Sequence, residues 1–129
     1  MAQRIHRPLE TSKDKAVTLY ARLTGGGAAA DLVVADGGGQ LPSEITAAAY
    51  DSTTGQFAVT FRHTYYRLLQ APVFSFVGTS NGLNGKCTAI DVQAGTATFF
   101  FNASTTPADP ATTDTIYVSW TVSNSSLVQ

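Results

Sequence analysis

The sequence predicts an all-β domain: an antiparallel β-sandwich of jelly-roll type with about eight strands, preceded by an extended N-terminal arm. Three observations lead to this prediction. Apolar and polar residues alternate in several short runs, most clearly in residues 115–122. Glycine-rich and Asn-Gly turns separate these runs at intervals of about ten to fourteen residues. β-Branched and aromatic residues, which suit a pleated and half-buried surface, dominate the runs.

The chain is divided into an arm of residues 1–14 and a sandwich domain of residues 15–129. The arm is polar, contains Pro8 and shows neither the helical nor the strand period. A chain of 129 residues fits one domain, which can bury roughly two thirds of the surface that it exposes when unfolded. The predicted strands are residues 15–24, 28–35, 44–52, 56–62, 73–78, 86–93, 96–102 and 115–122.

The strand predictions have different foundations. Alternation is clean in residues 15–24, 56–62 and 115–122, so each run presents one apolar face. In residues 44–52 the alanines favour a helix, while the isoleucine and tyrosine suit a strand, and we predict a strand. In the last strand the inward side chains are predicted to be Ile116, Val118, Trp120 and Val122.

Residues 63–70 break the alternation. Three apolar side chains fall at i, i+3 and i+4, as on a single helical turn, and Pro72 would end that turn. We therefore predict a short helical corner that closes one end of the sandwich. The three side chains are Tyr65, Leu68 and Leu69.

Residues 96–102 and 115–122 are predicted to be two strands that pair with each other in one sheet. The loop between them contains Pro107 and Pro110, neither of which can donate a backbone hydrogen bond to a ladder. The loop is therefore expected to be stiff and exposed.

The charge is low and unevenly distributed. Charged residues make up 13% of the chain, against about 25% in typical domains, and the net charge is -1. Five of the eight basic residues lie in the first 22 positions. This balance predicts no general attraction to nucleic acid. A surface poor in charge fits either a threonine-rich β-domain or a protein whose surface is covered by neighbours.

Cys87 is the only cysteine, which excludes both an internal disulfide and the Cys…Trp…Cys pattern of an immunoglobulin domain. We predict an inert thiol that points into the core together with Ala89 and Val92. The first ten residues lack the apolar segment of a secretory signal, and no apolar run is long enough for a membrane helix. The chain is therefore expected to be made and kept in a reducing cytoplasm, without a membrane partner.

No set of residues predicts catalysis, so the protein is not expected to be an enzyme or to carry a cofactor. His6 and His63 are isolated from any zinc motif, and the Gly-x-Ser-x-Gly match at residues 78–82 lies in a predicted turn between two strands, without the helix that a nucleophile elbow requires. Asp109 and Asp114 could hold calcium, but such residues more often cap turns. A stacking patch for sugars or bases is an alternative to the helical corner, and it would consist of Tyr65, Tyr66 and Arg67.

Two parts of the chain carry a resemblance to short structural proteins of tailed bacteriophages. The middle runs from residues 54–60, a turn glycine and a strand, to residues 65–69, a Tyr and a Leu pair. The end runs from residues 107–110, an Ala-Asp-Pro loop, through the Asp-initiated strand at 114–118, to the Asn-Ser-Ser of residues 124–126. The resemblance covers roughly residues 53–126.

The resemblance implies a virion component without catalytic residues. The expected function is a head decoration (cement) protein that binds and stabilises the capsid shell, with a tail- or fibre-associated protein as the alternative. A carbohydrate-binding sandwich module is the alternative from a different class. The implied partners are the major capsid protein, or other virion proteins, and further copies of the chain. Repeated binding on a capsid favours a symmetric homo-oligomer, and a trimer is expected.

The basic arm is the first candidate for contact with the shell. It could gain backbone hydrogen bonds by adding to an exposed sheet edge. The candidate contact residues are Arg4, Ile5, His6, Arg7 and Pro8.

Overall fold

The computed structural model describes residues 16–35, 43–103 and 106–123, and this part of the chain is all β-structure without a helix. All strand pairs are antiparallel. The described strands are β1 (Ala16–Thr24), β2 (Val33–Ala35), β3 (Ile45–Asp51), β4 (Gln56–Phe61), β5 (Arg67–Val77), β6 (Leu83–Asp91), β7 (Thr96–Ala103), β8 (Thr106–Pro107) and β9 (Thr115–Ser123).

The strands form two sheets, and the predicted antiparallel sandwich is confirmed. Sheet A has the order β2-β1-β9-β5, and sheet B has the order β3-β4-β7-β6. The short β8 pairs with the end of β7. It lies on the same side of β7 as β4, which pairs with the beginning of that strand, and β6 lies on the other side. The connections β2–β3, β4–β5, β5–β6 and β8–β9 each cross from one sheet to the other.

Backbone hydrogen bonds join the two sheets beside β2 and β3. The Leu32 amide donates to the carbonyl oxygen of Ala48 at 3.0 Å, and the Glu44 amide donates to that of Tyr20 at 3.3 Å. The Tyr50 amide donates to the Asp31 carboxylate at 2.7 Å. This side of the sandwich is therefore closed by polar contacts as well as by apolar packing.

The core lies between the sheets and follows the alternation of the strands. The inward residues of β9 that were predicted are all buried. Trp120 stacks on Phe61 with ring centroids 5.0 Å apart, and Phe74 of sheet A meets Phe99 of sheet B edge-on at 4.9 Å. Each such aromatic pair contributes about 0.5–1.5 kcal/mol beyond the apolar area that it buries. These contacts fix the two sheets against each other.

The predicted helical corner at residues 63–70 is wrong. Residues 67–70 belong to β5, whose pairing with β9 shifts between Leu68 and Gln70 and again between Gln70 and Val73. An inserted residue leaves Leu68 half-buried and turns Leu69 to solvent, 48% exposed. Bulges, not a helical period, therefore produced the i, i+3, i+4 spacing.

The predicted pairing of residues 96–102 with residues 115–122 is also wrong. The first run is β7 of sheet B and the second is β9 of sheet A, so they face each other across the core. The linking segment is long enough to cross between sheets, and it is not wholly exposed, because Pro110 is buried.

Two further strand predictions need correction. The strand predicted at residues 28–35 is reduced to residues 33–35. Ala89 was predicted to point inward but is exposed, because a bulge between Cys87 and Ala89 shifts the alternation of β6. Cys87 is half-buried, and burial raises the pKa of its thiol even though backbone hydrogen bonds oppose the shift.

Asp114 fastens the loop that precedes β9. Its carboxylate is 2% exposed and accepts hydrogen bonds from the amides of Thr79 at 3.1 Å, Ser80 at 3.0 Å and Ala111 at 2.9 Å. The hydroxyl of Ser80 donates to the same carboxylate. One side chain thus ties the β5–β6 turn to the loop before β9, as expected of an aspartate that caps a turn.

The balance of these contacts lowers the pKa of Asp114. Burial by itself would raise the pKa, but the hydrogen bonds from Ser80, Ala111 and Thr79 favour the charged form and outweigh it. The loop also needs glycine at the end of β5, because a Cβ on Gly78 would lie 2.3 Å from Asp114 Oδ1.

We predict that Asp114→Asn lowers the free energy of unfolding at neutral pH by about 2–3 kcal/mol. The side-chain NH2 would face backbone amides that need an acceptor, either that of Ala111 or those of Thr79 and Ser80. Urea unfolding measures the change. Asp109→Asn is the matched control, because the Asp109 carboxylate accepts one described hydrogen bond, from the Ala29 amide at 2.8 Å. Its effect should stay within about 0.5 kcal/mol.

The pH dependence provides an independent check. The folded pKa of Asp114 lies below the unfolded value of about 4. Its contribution to the free energy of unfolding is therefore complete above the unfolded pKa and disappears as the pH falls through the folded pKa. The stability difference between wild type and Asp114→Asn should therefore shrink in acid. A difference that is constant down to acid pH would contradict the assigned role.

Candidate functional site

The residues predicted to contact a capsid, Arg4 to Pro8, lie outside the described part of the chain. That part begins at Ala16, which pairs with Ser123, the last described residue of the chain. The first described residue therefore lies beside the end of β9, in the middle of sheet A.

The three residues predicted as a stacking patch do not form one aromatic platform. Tyr65 is half-buried, and Tyr66 is 52% exposed. Arg67 begins β5, in register with Ser123. Beside Tyr66 lies a shallow groove of about 260 Å³, lined by Thr64, both tyrosines and Gln93. The Gln93 side-chain amide donates to the Tyr66 carbonyl oxygen at 2.8 Å, so one of its polar groups is already engaged.

Glu44 organises the polar side of this corner. Its Oε2 atom accepts hydrogen bonds from the His63 amide at 3.1 Å and from the Tyr65 hydroxyl at 3.3 Å. The same oxygen lies 3.0 Å from Nδ1 of His63. His63 is thus joined to a carboxylate that also binds the Tyr65 hydroxyl. The arrangement fixes the segment before β5.

Two carboxylates that were weighed as calcium ligands have structural partners instead. Asp114 caps the loop before β9, and Asp109 accepts from the Ala29 amide. Within residues 16–35, 43–103 and 106–123, no group of three or more His, Cys, Asp or Glu side chains could hold a metal ion. The described residues also include no helix long and apolar enough to cross a membrane.

The most distinctive surface is the outward side of sheet A, which we name the outer A face. Of the large apolar side chains that the described residues expose, all but Tyr66 lie on strands of sheet A, and those of sheet B expose none. The register places five of them on this face: Tyr20, Val33, Val73, Val77 and Tyr117.

Hydroxyl groups fill most of the space between these apolar side chains. The Thr18 and Thr121 hydroxyls are hydrogen-bonded to each other at 3.3 Å across β1 and β9. Gln70 lies towards one end of the face, and the charged side chains of the face among the described residues are Arg22, which is half-buried, and Arg67, in the row that ends the face. The remaining hydroxyl residues of the face are Thr24, Ser75, Thr115 and Ser119.

The outer A face has a groove at its centre. The groove is about 270 Å³ in volume and runs between Tyr20 of β1, Tyr117 of β9 and Val73 of β5. Tyr20 is 68% exposed and Tyr117 is 44% exposed, so two aromatic rings project beside it. Exposed aromatic side chains next to a depression are typical of protein contact surfaces.

The outward side of sheet B differs in size and charge. Its exposed residues are mostly alanine and threonine, as in the shallow depression that includes Ala58 and Thr60. Lys86, Asp51 and Asp91 add charges on its strands. The two outward faces of the sandwich are therefore chemically different.

Sequence reasoning gave the outward residues of β1 and β9 but did not identify the outer A face. Alternation placed Tyr20 and Tyr117 on the polar sides of their strands. That they lie close together follows from the pairing of β1 and β5 with β9, and this pairing cannot be predicted from the residues of one strand.

Comparisons with models of known protein families, with curated proteins and with solved structures find no match.

The Glu44 corner generates a testable prediction about Tyr65. Burial raises the pKa of the Tyr65 hydroxyl, and the charge and the hydrogen bond of Glu44 raise it further. In Glu44→Gln the pKa should fall towards the ordinary value of about 10 but stay above it, because burial remains. Ultraviolet titration of the phenolate measures this, with Tyr65→Phe identifying the relevant transition. A Tyr65 transition that does not move in Glu44→Gln would refute the contact.

Proposed function

We propose that the protein is a structural component of a tailed-phage virion, a decoration protein that binds and stabilises the head shell. The resemblance of residues 53–126 to short phage structural proteins motivates the proposal. The outer A face is the observation that carries the proposal. A protein that acts by contact needs an exposed surface whose desolvation costs little free energy.

The construction of the domain supports a role in binding. Aromatic contacts join the two sheets, and the Asp114 carboxylate fastens the loop before β9. A rigid body loses little conformational entropy on association, which favours affinity. The proposed mode of action is binding alone, without a cofactor and without chemical turnover.

The arm supplies the proposed contact with the shell. Residues 1–14 carry three of the eight basic side chains, whereas the chain as a whole has a net charge of -1. Arg4, Ile5, His6, Arg7 and Pro8 would contact the major capsid protein, with backbone hydrogen bonds to a sheet edge and charge pairing with acidic groups.

The proposed location is the outer surface of the capsid, where a homotrimer would match a local symmetry axis. A tail- or fibre-associated position in the same virion is the alternative. Copy number separates the two: hundreds of copies per virion indicate decoration, and about a dozen or fewer indicate the tail.

We predict that deletion of residues 2–12 abolishes binding to empty capsids while the domain stays folded, because the deleted residues precede β1. Co-sedimentation with capsids measures binding, and circular dichroism measures folding. A matched pair of variants locates the contact: Arg4→Ala with Arg7→Ala should weaken binding, whereas Lys13→Ala with Lys15→Ala removes equal charge and should weaken it less. Undiminished binding of the folded deletion variant would refute the role of the arm.

A carbohydrate-binding module is the second candidate, and the groove beside Tyr66 is the observation that favours it. An exposed aromatic ring next to amide and hydroxyl groups is typical of sugar-binding sites. The groove is small and partly occupied by internal hydrogen bonds, which makes this candidate weaker than the first.

If the module binds glycans, Tyr66→Ala should remove that binding, whereas Tyr20→Ala on the outer A face should leave it unchanged. Both variants lose an exposed tyrosine, so they are matched in chemistry. A glycan array followed by titration calorimetry measures the effect. Absence of glycan binding by the wild-type protein would reject this function.

A further inference from the structure

We propose that the outer A face is a docking surface for a second copy of this chain. The inference rests on the composition, charge and dimensions of the face. It does not depend on the virion proposal, because self-association through this face would serve any structural or binding role.

The face exposes more apolar area than isolated surface residues would. Val33 is 55% exposed, Val73 51% and Val77 63%, in addition to the two tyrosines. The register connects these residues into one patch: Thr115 lies between Thr24 and Val77, and Ser119 lies between Tyr20 and Val73. A face that groups several exposed large apolar side chains between hydroxyl residues is typical of an interaction site.

The low charge of the face is compatible with an identical partner. Among the described residues, its charged side chains are Arg22, which is half-buried, and Arg67, in the row that ends the face. A second copy would bring the same lightly charged surface, so pairing would bury no carboxylate, and Arg67 would lie at the rim of the contact. Burying unpaired charges is a principal cost of protein association.

The hydroxyl groups favour the same partner for a different reason. A serine or threonine hydroxyl can both donate and accept, so a surface rich in hydroxyls is complementary to itself. Carboxylates only accept and ammonium groups only donate, and surfaces built from them require a different partner. The Thr18 and Thr121 pair already shows two such hydroxyls bonded across neighbouring strands.

The dimensions are sufficient for a specific contact. The strands β1, β5 and β9 lie about 4.8 Å apart and rise about 3.3 Å per residue over the nine residues of β1, so they cover roughly 14 Å by 30 Å, and the three residues of β2 add a strip about 10 Å long. The projected area is therefore roughly 480 Å², and the accessible area of the corrugated face is larger, against the 800 Å² or so per partner of a standard interface. Tyr20 and Tyr117, beside the central groove, would be the anchors.

Light scattering over a concentration series tests the inference. We expect the wild-type mass to exceed the 13.6 kDa of one chain and to rise with concentration. Tyr20→Lys should raise the dissociation constant by about thirtyfold or more, because it places a charge at the centre of the face. Tyr66→Lys is the matched control: it has a similar starting exposure but lies off the face, and it should leave the mass unchanged.

Val73→Lys, on the neighbouring strand β5, is a second variant in case Tyr20→Lys does not fold, and circular dichroism verifies folding of each. A dimer would indicate that two outer A faces pack against each other, and a trimer would indicate that the face meets a different surface of its neighbour. Either state supports the inference if both lysine variants dissociate it.

A wild-type protein that stays monomeric at submillimolar concentration overturns the inference, and so does an oligomer that both folded lysine variants retain. These results are separable from those on capsids. A monomer that binds capsids through its arm would refute this docking surface and keep the virion proposal, whereas an oligomer that ignores capsids would do the reverse.

Discussion

The alternation of β9 is the constraint on which the rest of the structure depends. This strand pairs with β1 on one side and β5 on the other, so its register sets the position of both. Its inward residues, among them Trp120, fill the centre of the core, and its outward residues, among them Tyr117, form the middle of the outer A face. A shift by one residue would exchange the two sets, burying hydroxyls and exposing the core. The core and the outer A face are therefore two consequences of one register.

The ends of β9 show how the domain holds this register. At its start, the Asp114 carboxylate binds the β5–β6 turn, so the strand enters the sheet at a fixed point. At its other end, Ser123 lies opposite Ala16, and its carbonyl oxygen accepts from the Tyr66 amide at 3.1 Å. Contacts distant in sequence thus determine both ends. The outer A face depends on this, because a slipped strand would change which side chains it presents.

The sequence predicted the fold class and most strands because alternation is local and strong. It identified the inward face of β9 correctly, and it assigned Tyr20 to an outward side. It failed where strands are bulged, at residues 63–70 and near Ala89, because an inserted residue imitates a change of period. It also failed to separate β7 and β9 into two sheets, since partner choice depends on the whole topology. The candidate surface could not be predicted for the same reason: it is assembled by pairing, and no single strand contains it.

The irregular edges of the two sheets restrict where the protein can polymerise. An open strand edge invites another chain to add its backbone, which leads to fibrils. Here β2 is three residues long, and β3 is tied to the neighbouring sheet by Leu32. The edge strand β5 contains two bulges and Pro72, and β6 contains a bulge and Lys86. Open-ended strand addition is therefore discouraged at the edges of the described sheets, while the outer A face is left accessible. Growth through a side-chain surface can stop when a ring or pair is complete. The bulges at the strand edges, which obscured the sequence pattern, would also disfavour amyloid-like fibrils.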